Sequence, residues 1–150
     1  MWQRIQTLFL VITIASLAVA LVQPIWQAQA GESLIILTPF YLLKNSVYVY
    51  LPYSITAVLA VAGITVAAIE MKRYDNRQLQ IKLGALNSLL LAGVMISAVW
   101  FASELSKEIV SDFKYGLGLY LTFVAVLANW MAVRFIRRDE RMVKDSDRLR

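Results

Sequence analysis

Residues 81 to 101 read IKLGALNSLLLAGVMISAVWF. Lys82 stands at the start of this stretch and no acid or base follows it. A hydrocarbon core about 30 Å thick is crossed by roughly 20 largely apolar residues in a helix, so the stretch reads as a transmembrane span. Three others match it: Ile5 to Pro24, Val47 to Ile69 and Tyr115 to Ile136, none with an ionisable residue in its central turns. The expectation is an all-α polytopic membrane protein, an antiparallel four-helix transmembrane bundle with both termini cytoplasmic. Residues 1–150 form one four-span domain, and 137–150 form a charged cytoplasmic helical tail. The first span imitates a secretory signal peptide, because Arg4 precedes an apolar run and Ala28-Gln29-Ala30 precedes Gly31. That run exceeds the roughly 7 to 15 residues of a signal core, so it is read as a retained span.

Composition agrees with a lipid solvent: 59% of residues are hydrophobic and 17% charged, where a soluble domain is nearer half and a quarter. The chain has no cysteine and no histidine, which argues against thiolate nucleophiles, histidine-ligated haem and nearly every zinc site. No cofactor, metal site or catalytic residue is expected. The net charge of +5 reads as a topology signal rather than a nucleic-acid footprint. Twelve basic residues lie on one side: Arg4, then Lys72, Arg73, Arg77 and Lys82, then Arg134, Arg137, Arg138, Arg141, Lys144, Arg148 and Arg150. Only Lys44, Lys107 and Lys114 lie on the other. Because short cytoplasmic loops are enriched in Lys and Arg, both ends are placed inside. Trp2 and Trp130 then fall near the inner headgroups. Trp26 and Trp100, with Tyr48, Tyr50 and Tyr53, fall near the outer ones.

Two outer connections follow from these spans. Residues 27 to 46 contain the apolar pieces Leu34 to Leu37 and Phe40 to Leu43 around Thr38-Pro39, too short to cross. The segment is either interfacial or re-entrant, or a short β-hairpin turning at the Thr-Pro step. The interfacial reading is preferred because nothing in it alternates cleanly. Residues 103 to 114 space Glu104, Glu108 and Asp112 four apart with Lys107 among them, which reads as a solvated helical extension of span three, a cation site being the weaker alternative. In the tail, charges alternate at helical spacing around Ile136, Met142, Val143 and Leu149, leaving a narrow apolar stripe.

Polar groups inside the spans are informative because an unpaired amide is costly in hydrocarbon. Asn87 and Asn129 each lie about 10 Å from the inner end of their helices at 1.5 Å per residue. Thr13 reaches the same depth, and Gly63 permits close approach there. An interhelical hydrogen-bonded layer of Thr13, Asn87 and Asn129 is expected, with a substrate or ion site as the alternative. Gly63 with Ala67, Gly84 with Ser88, Gly93 with Ser97 and Ala128 with Ala132 are small-xxx-small pairs that suit tight packing. Gly116 and Gly118 ease a turn into span four.

Three segments carry a resemblance: Trp2-Gln3-Arg4-Ile5-Gln6-Thr7; Asn76-Arg77 through Leu79-Gln80-Ile81-Lys82-Leu83 to Leu86-Asn87; and Arg138-Asp139-Glu140 through Met142-Val143 to Ser146-Asp147-Arg148-Leu149-Arg150. The chain resembles, along its whole length, a family of uncharacterised four-span bacterial inner-membrane proteins, the domain-of-unknown-function 4293 family, typical of Bacteroidota. That resemblance implies no established activity or cofactor. It directs attention to the cytoplasmic side, where all three segments fall.

The leading functional expectation is a non-enzymatic accessory protein. Its cytoplasmic face, formed by Gln3, Arg4, Asn76, Arg77, Gln80, Asp139, Glu140, Asp147 and Arg148, docks on another membrane protein, a soluble partner or a second copy. The same residues serve self-assembly if the tail locks onto the loop of its own chain. A small transporter or channel working as an oligomer is the alternative, weakened by the absence of an ionisable residue in mid-membrane and of a repeated pair of broken helices; an enzyme is least expected, since the acids are confined to loops and tail. The bilayer is the expected surrounding and nucleic acid is not expected as a partner.

Overall fold

The computed structural model describes the backbone of residues 3–30, 33–73, 76–108 and 112–148, and the side chains of 5–29, 34–73, 76–108 and 112–143. Its elements run α1 (Gln3–Val22), β1 (Trp26–Ala30), β2 (Ser33–Leu37), β3 (Leu42–Lys44), β4 (Val47–Val49), α2 (Ile55–Lys72), α3 (Arg77–Glu108), β5 (Phe113–Tyr115) and α4 (Leu117–Arg148). All four helices are long and apolar enough to cross a membrane. Each packs on two others, α1 on α2 and α4, and α3 on α2 and α4. Leu17, Ala60, Leu91, Val94 and Ala125 meet at their centre. Large apolar side chains point the other way: Leu8, Val11, Val19, Val58, Val61, Leu89, Ile96, Phe123 and Leu127 are exposed. Small and polar groups inside with large apolar groups outside is an arrangement that suits a hydrocarbon solvent rather than water.

The all-α expectation is overturned. Five antiparallel strands form one sheet in the order β4-β3-β2-β1-β5. Four come from the segment between α1 and α2, which is therefore strand rather than an interfacial piece. The fifth comes from the connection between α3 and α4, pairing Trp26 with Tyr115 and Ala28 with Phe113. The alternation is present in β1, where Trp26 and Ala28 are buried while Gln29 is exposed. In β2 the buried Ile35 and Leu37 alternate with Leu34 and Ile36, which are apolar as well. An all-apolar strand hides its period. The β3–β4 hairpin turns on Asn45 and Ser46, with φ of 51° and 63°. Consecutive left-handed residues are what a two-residue hairpin loop requires. Span two consequently starts at Ile55 rather than Val47.

The sheet rests on the end of α3. That helix has 32 residues, about 48 Å at 1.5 Å per residue, which exceeds the hydrocarbon thickness. Its Ala98, Ala102 and Leu105 join Ile25, Trp26, Ala28, Ile35, Leu37 and Leu42 in one core. Trp26 is fully buried there and stacks on Phe113 at 6.0 Å, so it is a core residue and not a headgroup anchor. Trp100 and Trp130 are exposed. Tyr53 packs edge-on against Phe101; burial, and then the Glu108 carboxylate, push its hydroxyl above the usual phenol range. Gly116 and Gly118 do more than ease a turn. A Cβ on Gly116 would strike the Pro24 carbonyl, and one on Gly118 would lie 2.7 Å from the Gln23 carbonyl oxygen. Both glycines let α4 start against the α1–β1 link, where the Gly116 and Gly118 N–H groups donate to the carbonyls of Ile25 and Pro24.

Candidate functional site

Polar residues converge between the helices toward the end away from the sheet. Asn87 and Asn129 are both buried, and Asn87 Nδ2 donates to Asn129 Oδ1 at 2.9 Å. Asn129 Nδ2 in turn donates to Ser88 Oγ at 2.9 Å. These bonds tie α3 to α4 where a free amide would be costly. Thr13 is buried at 0% exposure but donates to the Phe9 carbonyl of its own helix. It lies in the packed interior without a hydrogen bond to the asparagine pair. Gly63 makes the room: a Cβ there would lie 3.3 Å from Asn87 Oδ1 and 3.6 Å from Leu17 Cδ1.

One turn nearer the helix ends lies a residue outside the sequence expectation. Glu70 belongs to α2 and has no exposed surface. Neither carboxylate oxygen has a hydrogen-bond partner among the described residues. The reading of acids as confined to loops and tail is therefore corrected. Gly84 faces this carboxylate, since a Cβ on it would lie 2.9 Å from Glu70 Oε1 and closer still to Val133. The signal was in the sequence. Thr56, Ala60, Gly63, Ala67 and Glu70, all buried, recur at alternating steps of four and three, so the stripe of small residues runs on into Glu70.

Gln80 and Gln6 extend the polar path outward. Gln80 is buried and its Nε2 donates to the Glu70 carbonyl at 3.1 Å, so it is part of the helix packing rather than of an open docking face. Gln6 Nε2 is buried without a partner among the described residues. Gln6, Thr7, Leu10, Met71, Arg77, Gln80 and Asp139 line a cavity of about 20 Å³, enough for a single water. Arg77, on its wall, pairs with Asp139 at 3.3 Å, joining the start of α3 to the last third of α4. Asn76 caps α3, its Oδ1 accepting from the Leu79 N–H at 3.0 Å. Glu140 is half-buried. The structure thus turns Arg77, Gln80 and Asp139 onto their own chain. Expectations at Trp2 and at the side chains of Gln3, Arg4, Asp147 and Arg148 lie outside the described residues.

On the sheet side, Glu104 pairs with Lys107 at 3.5 Å, both exposed, and Glu108 and Asp112 are exposed too. α3 does extend through Glu108, but the connection then enters β5. No three acids gather around a common point among the described residues.

Four apolar helices around a polar interior, carrying an antiparallel sheet at one end, define this chain as a four-span membrane protein. It belongs to the family described as Domain of unknown function (DUF4293), whose model matches residues 2–149. A search of curated proteins finds no match.

Proposed function

We propose that the chain is a non-enzymatic accessory protein of the bacterial inner membrane that docks on a partner through its α4 end, both termini being cytoplasmic. The observation that carries this reading is the continuity of α4. It is one helix from Leu117 to Arg148, about 48 Å long at 1.5 Å per residue, so it leaves the apolar layer without a break. The Arg77–Asp139 pair holds its base to α3. A helix held at its root presents later residues at a fixed angle, and Val143, exposed at 40%, is an apolar side chain among charged ones. The excess of basic residues at this end supports the cytoplasmic orientation. The partner is read as another membrane protein or a second copy. A photo-crosslinking residue at Val143, compared with one at the lipid-facing Leu89, tests the proposal in native membranes. One discrete adduct from position 143, lost when Arg77→Ala loosens the root, supports docking. Equal or absent adducts from both positions overturn it.

A second reading has its own observation. A buried carboxylate without a donor is compensated by a proton or a cation, and an ionisable group inside helix packing is the usual mark of an ion path. Glu70, followed by Gln80 and Gln6, would line such a path in a small transporter or channel. Proteoliposome flux of protons or monovalent cations that disappears in Glu70→Gln favours this reading; no flux above empty vesicles excludes it.

A further inference from the structure

The end of α4 away from the sheet carries four arginines on one face. At 100° per residue, Trp130, Arg134, Arg137, Arg138 and Arg141 fall within an arc of about 100°. With Ser88 of α3 and Val133 they line a cleft of about 570 Å³. Among the described residues no carboxylate lines it. Asp139 lies on the opposite face of the helix and holds Arg77, and Glu140 is turned about 60° out of the arc. Arg134 is fixed over the Trp130 ring, its guanidinium carbon 5.5 Å from the centroid, a cation–π contact that ties the first guanidinium to an aromatic of headgroup depth. Clustering of this kind exceeds what orientation needs, since topology depends on the number of basic residues near a span and not on their sharing one face.

We propose that this cleft binds the phosphate of an anionic phospholipid headgroup. Guanidinium forks match phosphate oxygens in pairs, and four of them on one wall supply more donors than a single phosphate can use. The source is lipid rather than free phosphate because of what lies above the arginines. Tyr120, Phe123, Leu127 and Trp130 occupy the same arc toward the start of α4, and all four are exposed. An acyl chain laid along that stripe brings its headgroup to Arg134 and Arg138. The ligand therefore has an apolar body and an anionic head in the order that the helix presents them. Basic pockets at the ends of membrane helices recognise headgroups by this combination.

The test uses the full chain purified in a neutral detergent and titrated with phosphatidylglycerol or phosphatidylcholine, bound lipid being read by native mass spectrometry. Phosphatidylglycerol should bind at least about tenfold more tightly, and Arg134→Gln with Arg138→Gln should remove that preference. Lys107→Gln, on the sheet side, should leave it intact. If the first pair does not fold by circular dichroism, Arg137→Gln with Arg141→Gln serves instead, both side chains being exposed. Equal binding of the two lipids, or a preference unmoved by either pair, overturns the proposal. Displacement of phosphatidylglycerol by an equal concentration of glycerol phosphate overturns the lipid assignment, since the acyl stripe would then contribute nothing.

Discussion

Gly84 stands where three helices press together. Its missing Cβ admits Glu70 from α2 and Val133 from α4. Gly84→Ala should destabilise the protein by about 1–3 kcal/mol, the usual cost of overpacking, despite alanine's better helix propensity. Adding Val133→Ala should recover part of that loss, because it removes the nearest contact, and thermal unfolding of the single and double variants in detergent measures the coupling. Equal and additive effects would place the obstruction elsewhere. Gly63→Ala is the milder comparison, its new Cβ 3.3 Å from Asn87 Oδ1. The asparagine pair makes its own prediction. Asn129 both accepts from Asn87 and donates to Ser88, so Asn129→Ala leaves a buried donor unmatched and should cost about 1–3 kcal/mol. Ser88→Ala should cost less, since Ser88 is exposed. If the serine variant unfolds at the lower temperature, the amide network does not hold α3 to α4.

Among the elements, β5 is the one that closes the sheet across the chain. Its three residues pair with β1, although 83 positions of sequence separate Ala30 from Phe113. Gln27 and Lys114 are register partners and line the same surface depression. The chain has no cysteine, so a Gln27→Cys, Lys114→Cys variant carries only the introduced pair. Mild oxidation should join the two as a disulfide, because directly opposed strand residues lie within bridging distance. A Lys44→Cys, Lys114→Cys variant, placed on β3 and β5 with two strands between them, should stay reduced. Failure of the first pair to bridge would mean that β5 does not complete the sheet. The other end of the molecule is held by Arg77 and Asp139. As a partly exposed pair it should contribute about 0.2–1 kcal/mol, so Arg77→Ala should move α4's end more than it moves overall stability.

For the whole molecule, the sheet and the arginine-rich end lie at opposite ends of the helices, with the exposed apolar surface between them. Single cysteines replacing Gln29 or Lys107 should react with an impermeant thiol reagent in intact cells, whereas those replacing Asn76 or Arg141 should react only after permeabilisation. All four positions are exposed on the protein, so the bilayer alone decides the outcome. Labelling of position 76 from outside would reverse the orientation. Deleting Met142 to Arg150 should still leave four inserted spans, because apolar length and the remaining Arg134, Arg137, Arg138 and Arg141 set insertion. Loss of membrane insertion after that deletion would assign the tail a role in topology itself.

How much was legible divides along the range of the forces. A membrane helix satisfies its backbone within four residues, so apolar length alone disclosed four spans, and the three quoted segments disclosed the family. Counting along each helix also set Asn87 and Asn129 at one depth, since helical rise is a local quantity. Which atoms meet is not local. Phe113-Lys114-Tyr115 is a strand only because Trp26 to Ala28 lies beside it, and Trp26 is buried only because the sheet settles on α3. Glu70 read as a loop acid because its neighbours Met71, Lys72 and Arg73 end the apolar run. Packing decided otherwise, by setting Gly84 opposite it and closing three helices around the carboxylate.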